Sequence, residues 1–162
     1  MTATGNITVT THDRELVITR IFDAPRELVF TVWTKPEHVV RWWGPNEFTL
    51  PFCEMDFRIG GAYKYCMRSP EGKDHWVWGT YREIVEPERI VFTWDRKDLE
   101  GNPRSNSIVT VTFADYDGRT KFTLRQGIFA LQEDCVEHEG GWTECFDRLA
   151  DYVENSPSSD KQ

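Results

Sequence analysis

Between residues 47 and 128 the chain offers six segments rich in β-branched and aromatic residues, joined in pairs by turn signals. "FTLPFCEMDFRI" and "AYKYCMRS" are separated by Gly60-Gly61, "HWVWGTYREIV" and "RIVFTW" by Glu86-Pro87-Glu88, and "SIVTVTFA" and "KFTLRQGIF" by Tyr116-Asp117-Gly118-Arg119. Three consecutive hairpins imply an antiparallel meander. Residues 7 to 22 read as an opening strand, in which Leu16, Ile18 and Phe22 share one parity and Val17 and Ile21 the other. The sheet would then hold about seven strands, enough to curl strongly.

Helices flank this sheet. Asp23-Ala24-Pro25 supplies a cap and a proline at a helix start, and Leu28, Val29, Val32 and Trp33 recur at helical spacing. Thr34-Lys35-Pro36-Glu37 fits a capping box, so a second short helix is predicted over residues 35 to 43, ended by Gly44 and Pro45. Cys135, His138, Trp142, Cys145, Phe146, Leu149, Tyr152 and Val153 form one stripe of an amphipathic helix. At about 22 residues that helix would be about 33 Å long and could lie across the sheet. The chain reads as a single domain over residues 7–154 with a polar, disordered tail at 155–162.

Charge excludes some partners. A net charge of −8 with a pI near 5.0 repels phosphate backbones and anionic headgroups, so no nucleic acid is expected. No apolar run approaches the length of a membrane span, and "MTATGNITVT" lacks the features of a signal peptide, so the expectation is no membrane and a cytoplasmic location. Cys53, Cys66, Cys135 and Cys145 show no metal or redox spacing and read as reduced, mostly buried thiols. Seven tryptophans exceed what a plain core of this size uses, and that aromatic excess must be packed somewhere.

The order strand, two short helices, six-stranded meander and long C-terminal helix resembles an α+β, helix-grip (START-like, Bet v 1-like) fold of the SRPBCC superfamily. The words "ITRIFDAPRELVFTVWTKPEHVVRWWGP", "DFRIGG", "GTYREIVEPERIVFTW", "VTVTFADYDGRTKFTL" and "GWTECFDRLADYV" look like one branch of it. That branch is the family of domains homologous to the activator of the heat shock protein 90 ATPase. The resemblance implies a cavity between the curved sheet and the long helix. Related branches bind lipids, hormones or polyketides, and some are aromatase/cyclases. Eukaryotic chaperone activators carry a further N-terminal domain that this sequence does not include, which ranks chaperone binding behind a small-molecule ligand.

Candidate ligand contacts follow from this geometry. Adjacent helical residues point about 100° apart, so one of Trp42 and Trp43 is expected to pack on the first helix and the other to line or rim the cavity; both being core is the plainer alternative. His138, Trp142, Cys145 and Phe146 would face the sheet from the long helix. Phe48, Met55, Tyr63, Tyr65, Met67, Trp78 and Trp94 would supply the walls, with a parity left open by the possible register shift at Pro51. Gly140 and Gly141 each cost about 1 kcal/mol in a helix interior, which a bend, a close strand or room for a ligand would explain; packing ranks first. Asp56 and Arg58, two apart, read as an exposed pair on a strand.

Catalytic signatures are thin. "HEGGW" has Trp142 where a zinc site would need a second histidine, and no P-loop, dinucleotide or nucleophile-elbow motif occurs, so no cofactor and no metal are expected. Glu83, Asp95, His75 and His138 keep an acid/base, cyclase-like activity open as an alternative. The primary expectation is binding of a small apolar or amphipathic molecule. A protein-interaction module, either a homodimer or a chaperone-binding surface, is the other alternative.

Overall fold

The computed structural model describes residues 7–97, 103–129 and 131–155. Among them the order is β1 (Ile7–His12), β2 (Glu15–Phe22), α1 (Arg26–Thr31), α2 (Pro36–Trp42), β3 (Thr49–Met55), β4 (Ala62–Arg68), β5 (Asp74–Val85), β6 (Arg89–Lys97), β7 (Pro103–Tyr116), β8 (Arg119–Gly127) and α3 (Gln132–Asn155). The strands form one curved antiparallel sheet in the order β1-β2-β8-β7-β6-β5-β4-β3. Its β3 to β8 portion is the expected meander. The N-terminal hairpin closes against β8, the last strand in sequence.

The opening segment is a hairpin rather than the single strand expected, which brings the sheet to eight strands. Asp13 and Arg14 take φ values of 54° and 63°, and His12 pairs with Glu15 across them. Two successive left-handed residues are what a two-residue hairpin turn requires. Arginine does not mark that conformation in a sequence.

The predicted capping box is also absent. Lys35 stands at the N-cap of α2 with no side-chain bond, and Thr34 Oγ1 instead donates to the Thr31 carbonyl at 2.8 Å, closing the end of α1. Two helices this close compete for one hydroxyl. Pro36 does occupy the first turn, and α1 begins at Pro25 with no side-chain cap from Asp23. Asp56 and Arg58 lie beyond the end of β3, in the loop before β4, where they form an exposed ion pair at 2.9 Å. The β3–β4 register shifts between Thr49 and Phe52, at the Pro51 interruption.

One parity of each strand faces the helices. Leu16 and Ile18 of β2, Phe122 and Leu124 of β8, Val109 and Val111 of β7, and Ile90 and Phe92 of β6 are all buried, as are Val77 and Tyr81 of β5 and Tyr63 and Tyr65 of β4. Across them lies the buried stripe of α3: Cys135, His138, Trp142, Cys145, Phe146, Leu149 and Val153. Trp33 is the hub at the α1 end, with ring centroids 4.9 Å from Trp42, 5.7 Å from Phe122 and 6.4 Å from Phe146. Asn155, expected to begin the tail, instead closes α3; the rest of the expected tail, 156–162, lies outside the described residues.

Candidate functional site

The site is built around "RWWGP". Trp42 is fully buried and turns toward α1, where its Nε1 donates to the Val32 carbonyl at 3.1 Å. Trp43, at the C-cap of α2, turns toward the sheet and α3, with ring centroids 4.8 Å from Tyr65 and 5.4 Å from Trp142. Both are buried, yet only Trp43 borders the cavity. Gly44 follows at φ +102°, and a Cβ there would come within 3.2 Å of Phe48 Cβ, so glycine answers both the backbone and the space.

Helix α3 holds the loop that follows. Arg148 Nη1 lies within hydrogen-bond distance of the carbonyls of Trp43, Gly44, Pro45 and Phe48, at 3.2, 3.1, 2.9 and 3.1 Å, which share its two hydrogens. The Gly44 amide donates to Cys145 Sγ at 3.4 Å, and the Asn46 amide to Glu144 Oε1 at 3.0 Å. A loop without regular structure thus has its main-chain groups paired, as buried backbone requires.

A cavity of about 220 Å³ opens between this loop, the first half of α3 and the ends of β4, β5 and β6. Its floor is aromatic: Trp43, Trp94 and Trp142 are all buried and pack on one another, with Trp94 to Trp142 at 5.3 Å and Trp43 stacked on Trp94 at 6.1 Å. Met67, Val77 and Cys145 add apolar wall, while Phe48 and His75, 5.9 Å apart, are half-buried at the rim. Such a mostly apolar hollow with few polar groups is the usual form of a small-molecule site.

The polar groups lie together. His138 is buried; its Nδ1 is 2.8 Å from the Asp134 carbonyl one turn back, so that nitrogen carries the proton and Nε2 is the acceptor. Burial holds its pKa below the ordinary 6.5, and Arg96 lowers it further, against the opposing pull of the Asp134 carbonyl and the Glu137 and Asp134 carboxylates. Arg96 Nη2 lies 3.1 Å from Glu137 Oε1 and 3.7 Å from Asp134 Oδ1. Trp142 Nε1 donates to buried Gln126, whose own amide donates to Ser107 Oγ at 2.9 Å. The indole nitrogen of Trp94 and the Nε of Arg96 are buried with no hydrogen-bond partner among the described residues. Burial pushes the Cys145 thiol up to about 12, which makes it inert wall rather than nucleophile.

Gly141 borders the cavity, and a Cβ on it would meet only Pro45 Cγ at 3.8 Å; one on Gly140 would meet nothing within 4 Å. Close packing against a strand, the explanation ranked first from sequence, therefore accounts for neither glycine. Gly141 leaves space inside the cavity; nothing in the structure explains Gly140.

Of the residues singled out from sequence, Trp43, Phe48, Met67, Trp94, His138, Trp142 and Cys145 surround the cavity. Trp42 and Phe146 lie fully buried behind it. Tyr63 and Tyr65 sit deeper, with Trp33 and Trp43, around a void of about 10 Å³, about one water in size. Met55 packs at the edge of the core. Trp78 is on the outer face: it pairs laterally with Lys64 and Asp95 and borders a hollow that also holds Glu54. That hollow is larger, about 720 Å³, but it carries three charged side chains on the solvent side of the sheet, a poor enclosure for an apolar ligand. Of the four groups considered for acid/base chemistry, His75 and His138 reach the cavity, Asp95 faces outward, and Glu83 is held by Arg89 at 2.9 Å. Sequence reasoning missed Arg96 and Glu137. Arg96 shares the inward parity of Trp94, a signal readable once that parity is known.

Residues 23–154 match the family model described as Activator of Hsp90 ATPase homolog 1-like protein. The chain belongs to that family. No curated protein matches it. Among solved structures, this Hsp90-activator-homologue-like chain is similar to a protein from Arthrobacter aurescens at 23% identity and TM-score 0.81, covering 96% of this chain and 94% of that one. A protein from Chromobacterium violaceum is 29% identical at TM-score 0.74 over 87% and 97% of the two chains, and an AHSA1 protein from Silicibacter pomeroyi 24% identical at 0.79 over 87% and 98%. Membership of the Hsp90-activator-homologue-like family supports a ligand-binding type of domain in general. Among the described residues no helix is long and apolar enough to cross a membrane.

Proposed function

We propose that the protein binds a small apolar or amphipathic molecule in the cavity between α3 and the ends of β4 to β6. The observation that carries this reading is the floor of three packed tryptophans beneath about 220 Å³ of space, with Gly141 keeping the helix wall open. Aromatic surface that faces a cavity instead of filling it favours a flat apolar guest. Native mass spectra of freshly purified protein, beside an organic extract of the same sample, test for a bound molecule. Gly141→Leu fills the cavity from a helix position with room for a side chain; it should abolish capture of that molecule without unfolding the protein. Undiminished capture by the folded variant would move the site elsewhere.

A second reading is an interaction surface. Ile108, Ile128, Leu131 and Val136 are 37%, 56%, 47% and 52% exposed around the start of α3. Exposed apolar residues gathered in one region favour an interface, with a second copy of the chain or with the chaperone that the family is named for. Light scattering across a concentration series tests the first, and titration with purified heat shock protein 90 tests the second. A monomer that does not bind the chaperone would end this reading.

A further inference from the structure

We propose a second ligand site, on the outer face of the sheet and separate from the cavity at α3. There the hollow beside Trp78 takes a small zwitterion of the ω-amino acid class, with its carboxylate on Lys64, its methylene chain against Trp78 and its ammonium on Asp95. Register sets this order. Trp78 of β5 lies opposite Lys64 of β4 on one side and opposite Asp95 of β6 on the other, so a cation, an aromatic ring and an anion form one row across three adjacent strands. Side chains directly opposite one another have Cβ atoms about 5 Å apart, and two strand spacings separate the backbones of Lys64 and Asp95 by about 9–10 Å. The next row on the same face is small. Ala62 pairs there with Thr80, and both border the open space of about 720 Å³ beside Trp78.

Each group in this row is open to a guest. Trp78 is half-buried and borders the hollow, and among the described residues no ring or cation packs on it. Lys64 is exposed, and its Nζ is held 5.0 Å over the Trp76 ring rather than in an ion pair with Glu54, its partner on β3. That contact preorganises the ammonium without neutralising it. Asp95 is half-buried, and burial alone raises its carboxyl above the ordinary value, with no cation or hydrogen bond among the described residues opposing it. An ammonium placed beside Asp95 offsets that desolvation. Charge then selects among guests. An anion alone would face Glu54 and Asp95, a cation alone would face Lys64, and an apolar body would strip water from three charged side chains with nothing in exchange. An α-amino acid carries its two charges too close together to span Trp78.

Four probes of matched size separate these cases at pH 7 and low salt: 6-aminohexanoate, its isomer 2-aminohexanoate, hexylamine and hexanoate. They are titrated against ¹H–¹⁵N spectra that resolve the backbone amides of Lys64, Trp78 and Asp95 and the Trp78 indole. Solvent-exposed charge pairs are individually weak, so 6-aminohexanoate should saturate these shifts at millimolar concentration, yet roughly fivefold or more below each of the other probes. Added salt should weaken it. Lys64→Met should reduce its advantage over hexylamine to about twofold or less, and Asp95→Asn should do the same to its advantage over hexanoate. Gly141→Leu, which alters the cavity on the opposite face of the sheet, should leave the affinities unchanged. Equal binding of the two isomers would overturn the charge spacing, and tightest binding of hexylamine or hexanoate would overturn the zwitterion. Loss of binding in Gly141→Leu would move the site to the other face. No shift from any probe at tens of millimolar would overturn the site itself.

Discussion

Arg148 Nη1 lies 3.1 Å from the carbonyl oxygen of Gly44, across a separation of 104 residues, and the same nitrogen reaches the carbonyls on either side of that glycine. One cation on the last helix therefore fixes the loop that shapes the cavity rim. Hydrogen bonds to a charged group stabilise by about 1.5–3 kcal/mol each before mutual competition, and these four share one donor nitrogen. Arg148→Met should lower the unfolding free energy by about 2–3 kcal/mol in urea denaturation. Amide exchange at Asn46 and Phe48 should accelerate more than exchange in β7. Uniform acceleration would mean that Arg148 stabilises the whole fold rather than the loop.

Gly140 and Gly141 separate two effects that sequence presents as one. Replacing a helical glycine by alanine gains about 1 kcal/mol, and neither position crowds a Cβ. Gly140→Ala should raise stability by about that amount and leave ligand capture unchanged, because its side chain points away from the cavity wall. Gly141→Ala should stabilise similarly while weakening capture. Thermal unfolding measured beside binding for both variants checks the pair.

His138 makes stability depend on pH. Its folded pKa lies below the ordinary 6.5, so between those values the unfolded chain binds more protons, and stability rises with pH. The contribution is full above about pH 6.5 and is lost as pH falls through the folded pKa. The charged groups around it are Asp134 and Glu137 on its own helix and Arg96 on β6, with His75 at the rim. Urea denaturation at pH 7.5 and 5.5 should show a smaller acid loss in His138→Phe than in the parent protein. An identical loss would assign the acid sensitivity to the carboxylates.

Gln126 is fully buried between Trp142 and Ser107, accepting from one and donating to the other. Gln126→Leu leaves the Trp142 indole N–H without its partner and should cost about 2–3 kcal/mol, within the range for an unsatisfied buried donor and a lost hydrogen bond. In a double-mutant cycle with Trp142→Phe the two losses should be less than additive. Additive losses would show that the bond contributes nothing beyond packing.

Local patterns carried most of the architecture. The hairpin turns and alternating segments specified six strands of the meander, and the three- and four-residue spacing from Cys135 to Val153 specified the face of α3 that is buried. Both signals are short-range, since side-chain direction repeats every two residues in a strand and every 3.6 in a helix. The hairpin at Asp13-Arg14 escaped because its second left-handed residue, Arg14, is not a usual turn former. Thr34 misled for a similar reason: a capping pattern does not reveal that another carbonyl takes the hydroxyl first.

By itself the sequence determined that Trp43 ends a helix, that Gly44 turns the chain, and that an aromatic-rich sheet meets one long amphipathic helix. Tertiary structure decided which aromatics enclose space and which fill it. Trp43, Trp94 and Trp142 come from three separate elements to make the cavity floor, while Trp42 goes into the core and Trp78 onto the outer face. That sorting depends on register, on the curl of the sheet and on long-range bonds such as Arg148 to Gly44. The physical reason is that burial and polarity patterns report which side of an element is apolar, whereas a cavity is a property of how several such sides fail to close against one another.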